Sequence, residues 1–149
     1  MRIVSSPIYI DTSALAKLYV AEAESHFLER AFMGRRDLLV SDLAVTELVS
    51  VLMRRTREGS ISLESVTLIH RTLVQRLAVK VLHRVAVDGL AHGDAERLLM
   101  RFGDRIALRA ADAMHLALAA RSGARSFVTF DRRLTSAARV YGEFDLPTP

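Results

Sequence analysis

The amino-acid sequence predicts an α/β fold in which parallel strands are linked by helices that cover both faces of the sheet. Two observations carry this. Short apolar runs of strand length alternate with segments of helical spacing along the whole chain. No repeat, low-complexity stretch or Pro/Gly-rich linker interrupts that alternation. The three prolines, Pro7, Pro147 and Pro149, lie near the ends, so residues 1–149 read as one domain.

Each element has its own signal. IYI, residues 8–10, is a short buried strand. TSALAKLYV begins a helix and ESHFLERAFM makes another. DLLVS, residues 37–41, reads as the second strand. DLAVTELVSVLMRRTREG is a long helix that Gly59 can end, and SLESVTLIHRTLVQRL follows with Ser62 as its cap. VKVLHRV alternates as a third strand should. Residues 88–102 are helical, with a loop around Gly103. AADAMHLALAARSG is a helix with glycine at its end, SFVTF a buried fourth strand, DRRLTSAARVYG a helix and FDL a short fifth strand.

Composition narrows the class. Half of the residues are hydrophobic, enough for a proper core. With no cysteine there is no disulfide framework and no thiolate metal site, which suits a reducing cytoplasm. The start, MRIVSSPIYID, lacks a signal-peptide core, and no run approaches the ~18 apolar residues of a spanning helix. The expectation is a soluble protein with its natural start. Lys plus Arg number 21 against 17 acids, for a net charge of +4. Only Lys17 and Lys80 are lysines. Arginine pairs well with phosphate, so a nucleic-acid partner is permitted, though many proteins with this balance bind none.

Four carboxylates stand in unusual places. Asp11 and Asp131 each follow a strand directly, where ligands bind in open parallel sheets. Taken singly, each reads first as an N-cap of the helix that follows. Glu47 and Asp112 lie inside helices that are largely apolar, and a buried carboxylate needs a cation, a metal or a proton. A salt bridge, such as Arg109 with Asp112, would also serve. Together the four could converge on one crevice, where their repulsion would call for a divalent cation. Oxygen-only ligands suit Mg²⁺ or Mn²⁺.

At these residues the chain resembles the PIN-domain family, and most closely its VapC-type toxins of toxin–antitoxin pairs. IYIDTSALAKLY is similar to the family's opening strand and first acid, Asp11, and VTELVSVLMRR to its helix with the glutamate, Glu47. LRAADAMHLALAA is similar to the third motif, with Asp112, and FVTFDRRL to the last, with Asp131. The resemblance implies a three-layer α/β/α sandwich with a parallel sheet ordered 3-2-1-4-5. It also implies metal-dependent RNA cleavage that leaves a 5′-phosphate and a 3′-hydroxyl, inhibition of translation, a cognate antitoxin, and frequent homodimers. On that footing Asp11 and Asp112 are expected as the main metal ligands. Asp131 would complete the site, and Glu47 would hold a metal-bound water or orient the attacking hydroxide. Thr12, Ser13 and Thr129 are candidates to orient ligands or water.

Other residues are secondary. His115, three residues after Asp112, reads as packing or an ordinary hydrogen bond rather than a ligand. The other histidines, at positions 26, 70, 83 and 92, show no metal-ligand spacing. Arg54, Arg55 and Arg57 end the Glu47 helix, where cations suit the helix dipole. Arg132 and Arg133 open a helix, where the dipole disfavours them, and so are the better phosphate contacts. No cluster of aromatics suggests a base-stacking platform. Two other classes compete: an inactive PIN-like module that binds RNA or protein, and a phosphotransfer protein. A haloacid-dehalogenase-like phosphatase needs a second aspartate where Ser13 stands, and a receiver needs a lysine that SFVTFDRRL lacks.

Overall fold

The computed structural model describes residues 5–147; the first residues of the chain and Pro149 lie outside them. In chain order the elements are β1 (Ile8–Ile10), α1 (Thr12–Lys17), α2 (Ser25–Phe32), β2 (Leu38–Ser41), α3 (Asp42–Arg57), α4 (Leu63–Ala78), β3 (Leu82–Val85), α5 (Gly89–Phe102), α6 (Ala110–Arg121), β4 (Ser126–Val128) and α7 (Arg132–Tyr141). The strands pair in the order β3-β2-β1-β4, all parallel, with Tyr9 opposite Leu39 on one side and Phe127 on the other.

The period of two in β1 divides the core. Ile8 and Ile10 point to one face, where Leu15 of α1, Leu28 of α2, Leu48 and Leu52 of α3 and Leu73 of α4 close over them. Tyr9 points to the other face, against Leu98 of α5, Leu116 of α6, Phe127 of β4 and Leu134 of α7. Helices therefore cover both faces of the sheet. Each fully buried Leu or Ile contributes about 1.5–3 kcal/mol relative to an exposed one. Side-chain caps start the helices: Ser41 Oγ accepts from Ala44 N–H at 3.1 Å, and Ser62 Oγ from Ser65 N–H at 3.1 Å. Among the described residues no helix is long and apolar enough to cross a membrane.

Among the described residues the sheet has four strands rather than the expected five. FDL contributes only a bridge at Asp145, whose N–H donates to Arg125 O at 2.8 Å and whose carbonyl accepts from Phe127 N–H at 3.0 Å. In a parallel ladder the next donor would be two residues on, at Pro147, which has no N–H to give. The third strand is shorter than VKVLHRV suggests. α4 runs on through Ala78, and Lys80 takes a φ of 56° while Val81 N–H bonds back to Arg76 O at 2.9 Å. Those residues close the helix instead of opening the strand. β4 likewise stops at Val128, before the end of SFVTF, because Phe130 N–H donates to Ser13 Oγ at 2.8 Å rather than to a strand.

Candidate active site

The order of the strands turns round between β1 and β4: from β1 the chain continues to β2 on one side, while β4 flanks β1 on the other. The helices leaving these two strands part from each other there and open a crevice at their carboxyl ends. An open cavity of about 740 Å³ lies at this place, lined by Asp11, Thr12, Ser13, Glu47, Asp112, His115, Asp131 and Arg132. Lys17, Glu22, Arg54 and Arg55 also line it.

Three of the acids stand at helix N-termini. Asp11 follows β1 and caps α1, with Oδ1 accepting from Ala14 N–H at 2.9 Å. Asp131 caps α7, with Oδ1 accepting from Arg133 N–H at 2.7 Å and Leu134 N–H at 3.0 Å. Asp112, in the first turn of α6, accepts from Arg109 N–H at 3.0 Å through Oδ2. Cap and site are thus the same residues. The unsatisfied N–H groups of each first turn favour negative charge, which offsets part of the repulsion among the carboxylates.

Asp11 is the most enclosed of them, 2% exposed. Ser13 Oγ donates to it at 2.8 Å and Thr129 Oγ1 at 2.6 Å. Burial pushes its carboxyl up from the ordinary value, and the charge of His115 and the hydrogen bonds from Thr129, Ala14 N–H and Ser13 only partly offset that. Thr129 Oγ1 also accepts from Asp131 N–H at 3.1 Å, so one hydroxyl ties Asp11 to Asp131, which stands three residues beyond the end of β4 rather than directly after it. Ser13 Oγ holds Phe130 N–H as well, which joins the turn after β1 to the turn after β4.

Glu47 reaches the same cavity from α3. Its Oε2 accepts from Thr12 Oγ1 and lies 2.8 Å from His115 Nε2. Burial raises its carboxyl, but the hydrogen bonds from His115 and Thr12 and the charge of His115 outweigh this and hold it below the usual range. His115 is 3% exposed, and its Nδ1 lies 2.8 Å from the hydroxyl of Tyr9. The ring is therefore an ordinary hydrogen-bonding group, as expected, but one that touches a site carboxylate. A polar ring three residues from Asp112 and a tyrosine inside a buried strand were the signals for this pair.

The arginines divide. Arg132 is exposed and lines the cavity. Arg133 turns inward: its Nε is buried without a hydrogen-bond partner among the described residues, 3.7 Å from Asp112 Oδ2. The ion pair with Asp112 is thus made by Arg133, not by Arg109. Arg55 pairs with Glu22, which Lys17 Nζ also holds at 2.7 Å, and Arg54 faces Glu58 at 3.9 Å.

The donor set fits a hard divalent cation. It consists of carboxylate oxygens, and Glu47 Oε1, Asp112 Oδ1 and Asp131 Oδ2 carry no hydrogen bond among the described residues. Among those residues no three acidic or imidazole groups form a ready-made cage.

Comparison with known proteins bears on the fold. The chain is similar in structure to the Mycobacterium tuberculosis VapC20, a sarcin-ricin loop cleaving toxin, with a TM-score of 0.69 and 21% identity over 87% of this chain and 94% of that one. It is also similar to PAE2754 from Pyrobaculum aerophilum (TM-score 0.66, 20% identity, 89% and 79% covered) and to FitAcB from Neisseria gonorrhoeae (TM-score 0.63, 17% identity, 95% and 97% covered). No curated protein matches in sequence. The PIN domain family model matches residues 8–140, and with that span the chain belongs to the PIN-domain family.

Proposed function

We propose that this protein is a VapC-type toxin: a metal-dependent endoribonuclease that cleaves RNA, inhibits translation and is held in check by a cognate antitoxin. The observation that supports this most is the meeting of Asp11, Glu47, Asp112 and Asp131 around one open cavity at the β1–β4 switch. The similarity to a toxin described as cleaving the sarcin-ricin loop favours RNA as the substrate class. In this reading residues 1–149 are one domain, cytoplasmic and homodimeric.

Asp11, Asp112 and Asp131 would hold the ion, Mg²⁺ or Mn²⁺. When bound, it neutralises charge on the phosphate and makes a water acidic enough to attack. The chain's own groups do the rest. Glu47 orients the attacking water through Oε1, since Oε2 is already taken by Thr12 and His115. Ser13 and Thr129 keep Asp11 from rotating. Arg132, at the rim, meets the RNA backbone, while Arg133 serves Asp112 as a counter-charge. Attack at phosphorus breaks the bond to the 3′ oxygen and leaves a 5′-phosphate and a 3′-hydroxyl.

The test is to incubate the purified protein with total RNA and sequence the 5′ ends. Discrete new 5′-phosphate ends with Mg²⁺ and none with EDTA support the proposal. Folded protein that produces none with Mg²⁺ or Mn²⁺ refutes it and favours a PIN-like binding module.

A further inference from the structure

The hydrogen bonds around His115 hold its ring from both edges. Tyr9 is fully buried in β1, and its hydroxyl donates to Ser41 Oγ at 2.7 Å. The same hydroxyl lies 2.8 Å from His115 Nδ1 and holds that edge of the ring. On the other edge of the ring, Nε2 lies 2.8 Å from Glu47 Oε2. An ionised carboxylate only accepts, so Nε2 is the donor of this contact.

The chain of contacts closes on itself. Ser41 Oγ caps α3 through Ala44 N–H, and Glu47 sits further along the same helix. β1, the start of α3 and α6 are thus tied to one imidazole, whose ring meets Tyr9 edge-on with centroids 5.9 Å apart, while Tyr9 stacks on Phe127 at 5.3 Å. Both bonds to Glu47, from Thr12 and from His115, fall on Oε2. Oε1 is left to the cavity.

We propose that His115 is a positioning residue for Glu47: held by Tyr9 on one edge of the ring, it donates from Nε2 and locks Glu47 so that Oε1 alone faces the reacting groups. This deepens the nuclease reading and rests on it. His115 acts through Glu47 and needs no contact with RNA or metal.

The experiment separates the two edges of the ring. Asparagine can place its amide nitrogen near Nδ1 and glutamine near Nε2, so each keeps one donor. His115→Asn keeps the Tyr9 edge and drops Glu47; kcat for RNA cleavage should fall about 10- to 100-fold with KM unchanged. His115→Gln restores the donor to Glu47, and kcat should recover most of that loss. Thermal melts of both variants establish that each is folded. Equal kcat in the two variants, or wild-type kcat in His115→Asn, overturns the proposal. An independent readout is the ¹⁵N spectrum of the His115 ring in metal-free wild type near neutral pH. A protonated Nε2 supports the arrangement, and a bare Nε2 overturns it. If wild type cleaves no RNA, the nuclease reading fails, while the spectrum still decides whether His115 holds Glu47.

Discussion

Replacing Asp11 by asparagine separates its two roles, as cap and as site ligand. Asn keeps an oxygen for Ala14 N–H, so the α1 cap at 2.9 Å survives. The change falls on the other side: Thr129 Oγ1 donates to the carboxylate at 2.6 Å, a charge-assisted bond of about 1.5–3 kcal/mol that becomes a neutral one of about 0.5–1.5. Against that loss of about 1 kcal/mol stands a gain. Burial already pushes the Asp11 carboxyl up, and Asn resembles the neutral form that burial favours. The net effect on stability should lie within about 1 kcal/mol, a Tm shift of about 2–4 °C. Asp11→Ala, which also removes the cap and strands Thr129, should cost about 2–4 kcal/mol. Activity should respond in the opposite proportion. Losing a ligand charge worth several kcal/mol in the transition state lowers the cleavage rate by about 10²–10³ in either variant. The assay pairs denaturant melts with end-mapped RNA cleavage in Mg²⁺. An Asp11→Asn protein that cleaves at the wild-type rate removes Asp11 from the chemistry. One that loses more than about 3 kcal/mol makes its main role structural.

Three other outcomes can be checked with single variants. Arg132→Ala, exposed at the cavity rim, should raise KM about 3- to 10-fold with kcat and melting nearly unchanged, as expected of a uniform phosphate contact. Glu22 is held below the ordinary carboxylate range, chiefly by its hydrogen bond from Lys17 and then by Arg55. A depressed folded value means stability that is present above the unfolded pKa and lost as pH falls through the folded one. Glu22→Gln should therefore be less stable than wild type at neutral pH, with the difference closing below about pH 4 in a pH series of melts. Gly142 ends α7 with a φ of 76° and no close neighbour for a Cβ beyond Arg139 O at 4.0 Å. Gly142→Ala should cost about 1 kcal/mol from backbone strain alone, read as a lower Tm with unchanged cleavage.

Local chemistry made much of this protein legible in its sequence. Alternation of apolar runs with helical segments marks the elements, because burial on one face imposes the period. Ser62, Asp11 and Asp131 mark helix starts, because a side-chain oxygen there replaces a missing backbone partner. Asp11 and Asp131 sit after strands β1 and β4 in the chain, and the carboxyl ends of parallel strands are where such folds bind ligands. Those readings depend on neighbours a few residues apart.

Tertiary structure decided what depends on residues far apart in the chain. Glu47 and His115 are 68 residues apart and 2.8 Å from each other, and nothing local in either helix announces the other. Arg132 and Arg133 look alike in sequence, but helix phase sends the first to the cavity rim and the second inward beside Asp112. FDL has the apolar residues of a strand, yet only Asp145 pairs with β4, since Pro147 lacks the N–H that a second rung requires. Caps and periods are settled by the backbone over one or two turns. The partner of a carboxylate is settled by which helices the sheet brings together, and for Asp11 that is a crevice no stretch of sequence contains by itself.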